Sequence, residues 1–148
     1  MKTLIVILII SAFLQSSILP VNLVLIILIC RCFQKISKTN LYLAFSFGLL
    51  ISHLNLTTLG LDSLIFVICV QLTQVLSKAR LAGNSLLIVP IIFVLLILSQ
   101  SIVSIFYHQS LNLFPKVLLE AVISLPIFYG LRLWEERFIT RKDIKLKI

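Results

Sequence analysis

The sequence holds few charged residues, and most of those are basic. Charged side chains make up 12% of 148 residues, with five Asp or Glu against 13 Lys or Arg, while hydrophobic side chains make up 60%. A soluble domain is nearer half apolar and about a quarter charged. So little polar sequence excludes a separate soluble domain, and the mean hydropathy of +1.17 predicts an integral membrane protein.

Cysteine and histidine are also scarce, with three and two residues. The odd number of cysteines, the C-x-C spacing and the lack of a nearby histidine pair exclude a metal framework. Cys30, Cys32 and Cys69 are therefore predicted to be small packed residues. His53 follows Ser52, but no third group orients the two side chains, which point about 100° apart on a helix. No catalytic, cofactor or metal site is predicted.

Membrane topology explains the net charge of +8 better than a nucleic-acid partner does. Basic residues cluster at the ends of apolar segments, and no basic patch alternates with aromatic residues. With six spans, twelve of the 13 basic residues lie on one side of the membrane and Lys116 alone on the other. With five spans Lys2 changes sides, which gives eleven against two. The positive-inside rule places the C-terminal tail in the cytoplasm, and six spans place both termini there.

The apolar segments predict an all-α polytopic membrane protein of about six transmembrane helices, and five spans also fit. Leu4–Phe33 as one helix would be about 45 Å long, too long for a hydrocarbon core of about 30 Å, so Pro20 and Asn22 are expected to divide it. Pro126 and Gly130 are expected to kink the last span. The four later segments are Leu41–Leu54, Leu61–Ser77, Leu86–Tyr107 and Pro115–Trp134.

Residues 1–134 are expected to form a single transmembrane helical domain, and 135–148 a basic cytoplasmic tail. The tail mixes basic with apolar side chains, and Trp134 precedes it at an interface position. This combination suits the anionic headgroups of the lipid bilayer. Binding of a cytoplasmic partner is the alternative.

Two carboxylates lie near the predicted spans. Asp62 stands in the first turn of a helix, where the dipole favours an anion, and serves either that helix start or a partner contact. Glu120 lies one turn after Lys116 on the same face, which predicts an ion pair. Polar residues at helical spacing on two other spans are expected to bond across helices. They are Gln71, Gln74, Gln100, Ser104 and His108.

A short polar turn lies between two apolar segments in the stretch Gly48–Leu64. Gly48 allows its helix to pack closely against a neighbour, and Gly60 suits a turn that needs positive φ. Asn55 and Thr58 can bond backbone groups left free where a helix ends. The stretch predicts a helix–turn–helix hairpin whose turn faces outward.

The same stretch resembles the MreD family of rod shape-determining membrane proteins. The family typically has Gly-Leu-Leu, an acidic residue two positions later, and a Leu-Gly pair after a few small residues. Gly48 to Leu50 and Leu59 to Leu61 fall in place, but Ser52 stands at the acidic position and an acid appears instead at Asp62. The resemblance covers Leu4 to Phe138. Two more stretches carry it: Leu14–Pro20, similar to the first helix of the family, and Leu118–Phe138, similar to its last helix and basic exit.

The resemblance implies a non-enzymatic scaffold of the bacterial inner membrane that binds MreC and links MreB filaments to the elongation machinery of peptidoglycan synthesis. The family fold is similar to the six-helix substrate-binding subunits of energy-coupling-factor transporters, which supplies the alternative of a small-molecule binding or transport subunit. Such subunits usually carry A-x-x-x-A in the first helix, where this chain has only Ala12. A homo-oligomer is also compatible, and no cofactor is expected. The predicted partner contacts are Gly48, Ser52, Asn55, Thr58, Gly60 and Asp62.

Overall fold

The computed structural model describes residues 2–18, 21–78, 88–107 and 113–143, and all regular structure within these ranges is α-helical. The predicted all-α class is therefore confirmed. The described residues form six helices: α1 (Lys2–Ser17), α2 (Leu23–Gln34), α3 (Lys38–Leu54), α4 (Leu61–Lys78), α5 (Ile88–Tyr107) and α6 (Leu113–Asp143).

The first apolar stretch forms two helices, as its length predicted. The second of them, α2, has 12 residues and is only about 18 Å long. Every side chain of Val24–Phe33 is buried, and α2 contacts each of the other five helices. Apart from the buried Arg31 near its end, these ten residues are apolar or cysteine, and a helix with so few polar groups is stable in such an enclosed position. Helix α2 therefore lies at the centre of the hydrophobic core.

Within the described ranges, three helical segments are long and apolar enough to cross a membrane: Leu61–Lys78, Ile88–Phe106 and Pro115–Trp134. Two shorter helical segments, Thr3–Ser17 and Leu23–Gln34, are also apolar. Large apolar side chains are exposed on the outer faces of α1, α3, α4, α5 and α6. Surfaces of this kind are stable against lipid but not against water. These features fit a polytopic membrane protein.

The last helix continues beyond Trp134, where the sequence predicted the end of the last span. It runs to Asp143, because residues 135–143 contain neither glycine nor proline to stop it. Pro126 lies inside the helix, where neighbouring helices of a membrane protein make proline tolerable. At 31 residues α6 is about 46 Å long, more than a hydrocarbon core of about 30 Å requires. The first part of the predicted tail is thus a continuation of α6.

Candidate functional site

The predicted hairpin is formed by α3 and α4, and its turn ends α3 with left-handed backbone at Leu56, where φ is 51°. The Leu56 N–H donates to the His53 carbonyl at 3.3 Å, and the Thr57 N–H donates to the Ser52 carbonyl at 3.0 Å. This pair of bonds is the Schellman arrangement, in which glycine usually occupies the residue with positive φ. Leucine in this conformation costs on the order of 1 kcal/mol. Its side chain is nevertheless 92% exposed, so burial does not offset that cost.

The carboxylate of Asp62, at the start of α4, bonds both to the end of α3 and to the turn, and we call these two bonds the Asp62 brace. The Asp62 Oδ2 atom accepts hydrogen bonds from Ser52 Oγ at 2.9 Å and from Thr57 Oγ1 at 3.0 Å. Asp62 belongs to the first turn of α4, whereas Ser52 belongs to the last turn of α3. The two bonds therefore join both helices to the turn between them. The charge also lies where the α4 dipole favours an anion.

Two glycines permit this geometry, as the sequence predicted. A Cβ atom on Gly48 would contact the backbone of Ser63, with 2.8 Å to its N and 2.9 Å to its Cβ, so α3 and α4 meet too closely there for any side chain. Gly60 has φ of 101°. Its carbonyl accepts the first helical hydrogen bond of α4, from the Leu64 N–H at 3.0 Å. Left-handed backbone of this kind favours glycine.

The structure divides the six predicted contact residues by their accessibility. Gly48 and Ser52 are buried within the chain, Gly60 and Asp62 are half-buried, and Asn55 and Thr58 are exposed. Leu56 and Leu59 are exposed too, at 92% and 73%, although the sequence did not single them out, because leucine gives no contrast in an apolar sequence. We call Asn55, Leu56, Thr58 and Leu59 the hairpin tip. A role of these residues in partner binding stays a prediction.

A second polar cluster lies deep among the helices and was not foreseen as a unit. Glu120 of α6 is fully buried, and its Oε1 atom accepts a hydrogen bond from the Asn22 N–H at 3.1 Å. Its Oε2 atom accepts from Gln100 Nε2 of α5 at 3.3 Å. The sequence predicted a pair with Lys116, which does act electrostatically on Glu120, but the Lys116 side chain is exposed while the carboxylate of Glu120 faces the interior. We call Gln15, Asn22, Gln100 and Glu120 the interior cluster.

The interior cluster supplies acceptors to the first amide groups of α2. The Asn22 side chain makes no capping bond to its own helix. Instead Gln15 Oε1 of α1 accepts from the Val24 N–H at 3.2 Å, and Glu120 accepts from the Asn22 N–H. Gln15 Nε2 also donates to Asn22 Oδ1 at 3.3 Å. Unbonded amide groups at a buried helix start are costly, and the positive end of the dipole favours a carboxylate. The signal in the sequence was the pair of polar residues on either side of the break between the first two helices: Gln15 lies near the end of α1, and Asn22 lies just before α2.

Helices α2 and α6 run parallel and share further hydrogen bonds. Beyond the contact of Asn22 with Glu120, Cys30 Sγ donates to the Ser124 carbonyl at 3.9 Å and Gln34 Nε2 donates to the Phe128 carbonyl at 3.1 Å. Glu120 lies seven residues after the start of α6, which is roughly 10 Å along the helix. The start of α2 is therefore recessed by roughly that distance below the start of α6.

The other predicted bonds across helices are confirmed in part. Gln100 bonds to α6, as described, and Gln74 Nε2 of α4 donates to the Ser37 carbonyl before α3 at 3.1 Å. Gln71, three residues before Gln74, is instead exposed on the outer face of α4. His108 lies outside the described residues.

The cysteines pack in the interior, as predicted. Cys30, Cys32 and Cys69 are fully buried and have free thiols. The thiols of Cys32 and Cys69 donate to the carbonyls of Val70 and Leu95, at 3.6 and 3.9 Å. Among the described residues, no group of three or more potential metal ligands is found.

Comparison with known proteins returns no match to this chain from any family model, any curated protein or any solved structure.

Proposed function

We propose that this protein is a non-enzymatic scaffold of a bacterial inner membrane that holds an MreC-like protein in the cell-elongation complex. The hairpin tip carries the proposal, because it presents apolar and hydrogen-bonding groups together on a rigid support. Leu56 and Leu59 supply the apolar surface, and Asn55 and Thr58 lie exposed beside them. Contact sites commonly sit on loops that a rigid scaffold positions.

The rigidity of the tip favours recognition. The contact of Gly48 with Ser63 and the two bonds to Asp62 hold the turn in one shape. A preorganised loop loses less entropy on binding than a mobile one. The left-handed backbone at Leu56 supports the same function, since strained backbone conformations cluster at functional sites.

The Asp62 brace also supports the resemblance to the MreD family. Position 52, where that family has an acid, is Ser52 in this chain. The Oδ2 atom of Asp62 lies 2.9 Å from the hydroxyl oxygen of Ser52. A negative group is thus present at this place in space, although it comes from the neighbouring helix.

The proposal includes six membrane passes with both termini in the cytoplasm. In this topology the hairpin tip and the α1–α2 turn face outward, and twelve of the 13 basic residues face inward. The positive-inside rule supports that orientation. The short helix α2 crosses only part of the bilayer by itself, and the neighbouring helices enclose it.

Co-purification with an MreC-like membrane protein tests the proposed function. Leu56→Gly removes the exposed side chain and also relieves the left-handed strain, so the variant should be as stable as the native protein or up to about 1 kcal/mol more stable. We expect the recovered complex to fall several-fold despite that stability. Leu133→Ala, which trims an exposed leucine on α6, is the matched control and should leave the complex unchanged.

Asp62→Ala combined with Thr58→Leu should weaken the complex as well, because it removes the brace and alters the tip. Undiminished co-purification of the Leu56→Gly protein and of this double variant would contradict a contact through the hairpin tip.

A small-molecule binding subunit, similar to those of energy-coupling-factor transporters, is the second candidate function. The recessed interior cluster favours it, because Glu120 offers a buried carboxylate below the partly exposed Gln15 and Asn22. Such a group would select a small ligand that bears an ammonium group. Ligand-dependent thermal stabilisation of the purified protein, lost in Glu120→Gln, would establish this function, and failure to bind the MreC-like protein would then exclude the first.

A further inference from the structure

A glutamine faces outward in the middle of a membrane-crossing helix. Gln71 is exposed on α4, ten residues after Leu61 and seven before Lys78, which places its amide about 15 Å from one end and about 10 Å from the other. Lipid tails offer an amide neither donor nor acceptor, so a lipid-facing glutamine at this depth is costly. Its neighbour Gln74 avoids the cost by bonding to the Ser37 carbonyl.

The exposed residues around Gln71 form a heptad seam along α4. Leu64, Ile68, Gln71, Val75 and Lys78 are spaced alternately four and three residues apart, and all are exposed. This spacing is the a/d pattern of a left-handed coiled coil, with β-branched Ile68 and Val75 at a, Leu64 and Gln71 at d, and Lys78, the last residue of α4, at the final d position. Isoleucine or valine at a with leucine at d favours two parallel strands.

We propose that α4 of a second copy of this chain packs against this seam and forms a symmetric dimer. Two copies inserted in the same direction are related by a two-fold axis along the membrane normal, so their α4 helices are parallel and identical residues face each other. The glutamine amide carries both a donor and an acceptor and is therefore complementary to itself. Each Gln71 finds in its symmetry mate the hydrogen-bond partner that lipid does not provide. The seam lies within the membrane on α4, so the dimer goes beyond the proposed function at the hairpin tip.

Energy transfer between donor-labelled and acceptor-labelled copies of the purified full chain in phosphatidylcholine–phosphatidylglycerol vesicles tests the dimer. Transfer should rise with the protein-to-lipid ratio and fit a monomer–dimer equilibrium. Hydrogen bonds between membrane helices are worth roughly 0.6–1 kcal/mol, so Gln71→Leu should weaken dimerisation about three- to five-fold. Gln71→Asn keeps the amide and should retain most of the affinity. Ser46→Leu, a polar-to-leucine change at an exposed position of α3, should have no effect.

Disulfide formation provides a second measurement, which reports which surfaces of the two copies meet. In a chain whose three native cysteines are replaced by alanine, Ile68→Cys should cross-link to its symmetry mate. Val94→Cys, which is 60% exposed on α5, should not.

The proposal would be overturned by a monomer at every protein-to-lipid ratio, by equal association of native protein and Gln71→Leu, or by equal cross-linking at positions 68 and 94. A photoreactive group at position 68 that captures a different protein in native membranes, instead of a second copy, would overturn it as well.

Discussion

Addition of a single methyl group at Gly48 tests the close contact on which the hairpin depends. In Gly48→Ala the new Cβ would lie 2.8 Å from the Ser63 N atom, and ordinary contact begins at 3.4 Å. Helix α4 must therefore retreat by at least about 0.6 Å, and no flexible side-chain end is present to yield in its place. Overpacking of this kind costs about 1–3 kcal/mol. Loss of the two hydrogen bonds to Asp62 adds roughly 0.6 kcal/mol for each bond.

Gly130→Ala is the matched control, because nothing lies within 4 Å of the added Cβ in α6. Both variants gain the same intrinsic helix propensity, about 1 kcal/mol, which cancels in the comparison. We therefore expect the free energy of unfolding of Gly48→Ala to be about 2–4 kcal/mol lower than that of Gly130→Ala. Reversible unfolding in mixed micelles with a rising fraction of dodecyl sulfate, followed by far-ultraviolet circular dichroism, measures this difference. Equal stability of the two variants would refute the close approach of α3 and α4.

The remaining predictions concern the interior cluster and the topology. Glu120→Leu leaves the Asn22 N–H and the Gln100 amide without their acceptor and should lower the free energy of unfolding by about 2–4 kcal/mol. Glu120→Gln keeps an acceptor and should cost less than half of that, so equal losses for the two variants would refute the hydrogen-bond explanation. An impermeant thiol reagent added outside cells should label a cysteine placed at Thr58 but not one placed at Gly83, and the reverse pattern would invert the proposed orientation.

The sequence was sufficient where one residue type answers one local requirement. The length of the first apolar stretch predicted a break, and two helices are present. The positions of Gly48 and Gly60 predicted a close approach and a positive φ, and both occur. Each of these features follows from a residue type or a segment length that can be read directly from the sequence, which is why composition and spacing were enough.

The sequence was insufficient where the partner of a group lies far along the chain. Glu120 was assigned to Lys116, one turn away, because spacing on a single helix is all that a sequence displays. Its hydrogen-bond partners, Asn22 and Gln100, belong to two other parts of the fold, and the bond to Asn22 spans 98 residues. The left-handed leucine at Leu56 escaped prediction for another reason, since propensity favours glycine there.

The two acceptors that complete the start of α2 are separated in time during synthesis. Gln15 precedes α2, so it has emerged before the helix itself. Glu120 follows Asn22 by 98 residues, which corresponds to about 5–20 s at roughly 5–20 residues per second. Throughout that interval the nascent chain contains α2 without the carboxylate and without the enclosing surface of α6. Helix α2, at the centre of the fold, is therefore synthesised second but reaches its final environment only when α6, the last of the described helices, enters the membrane.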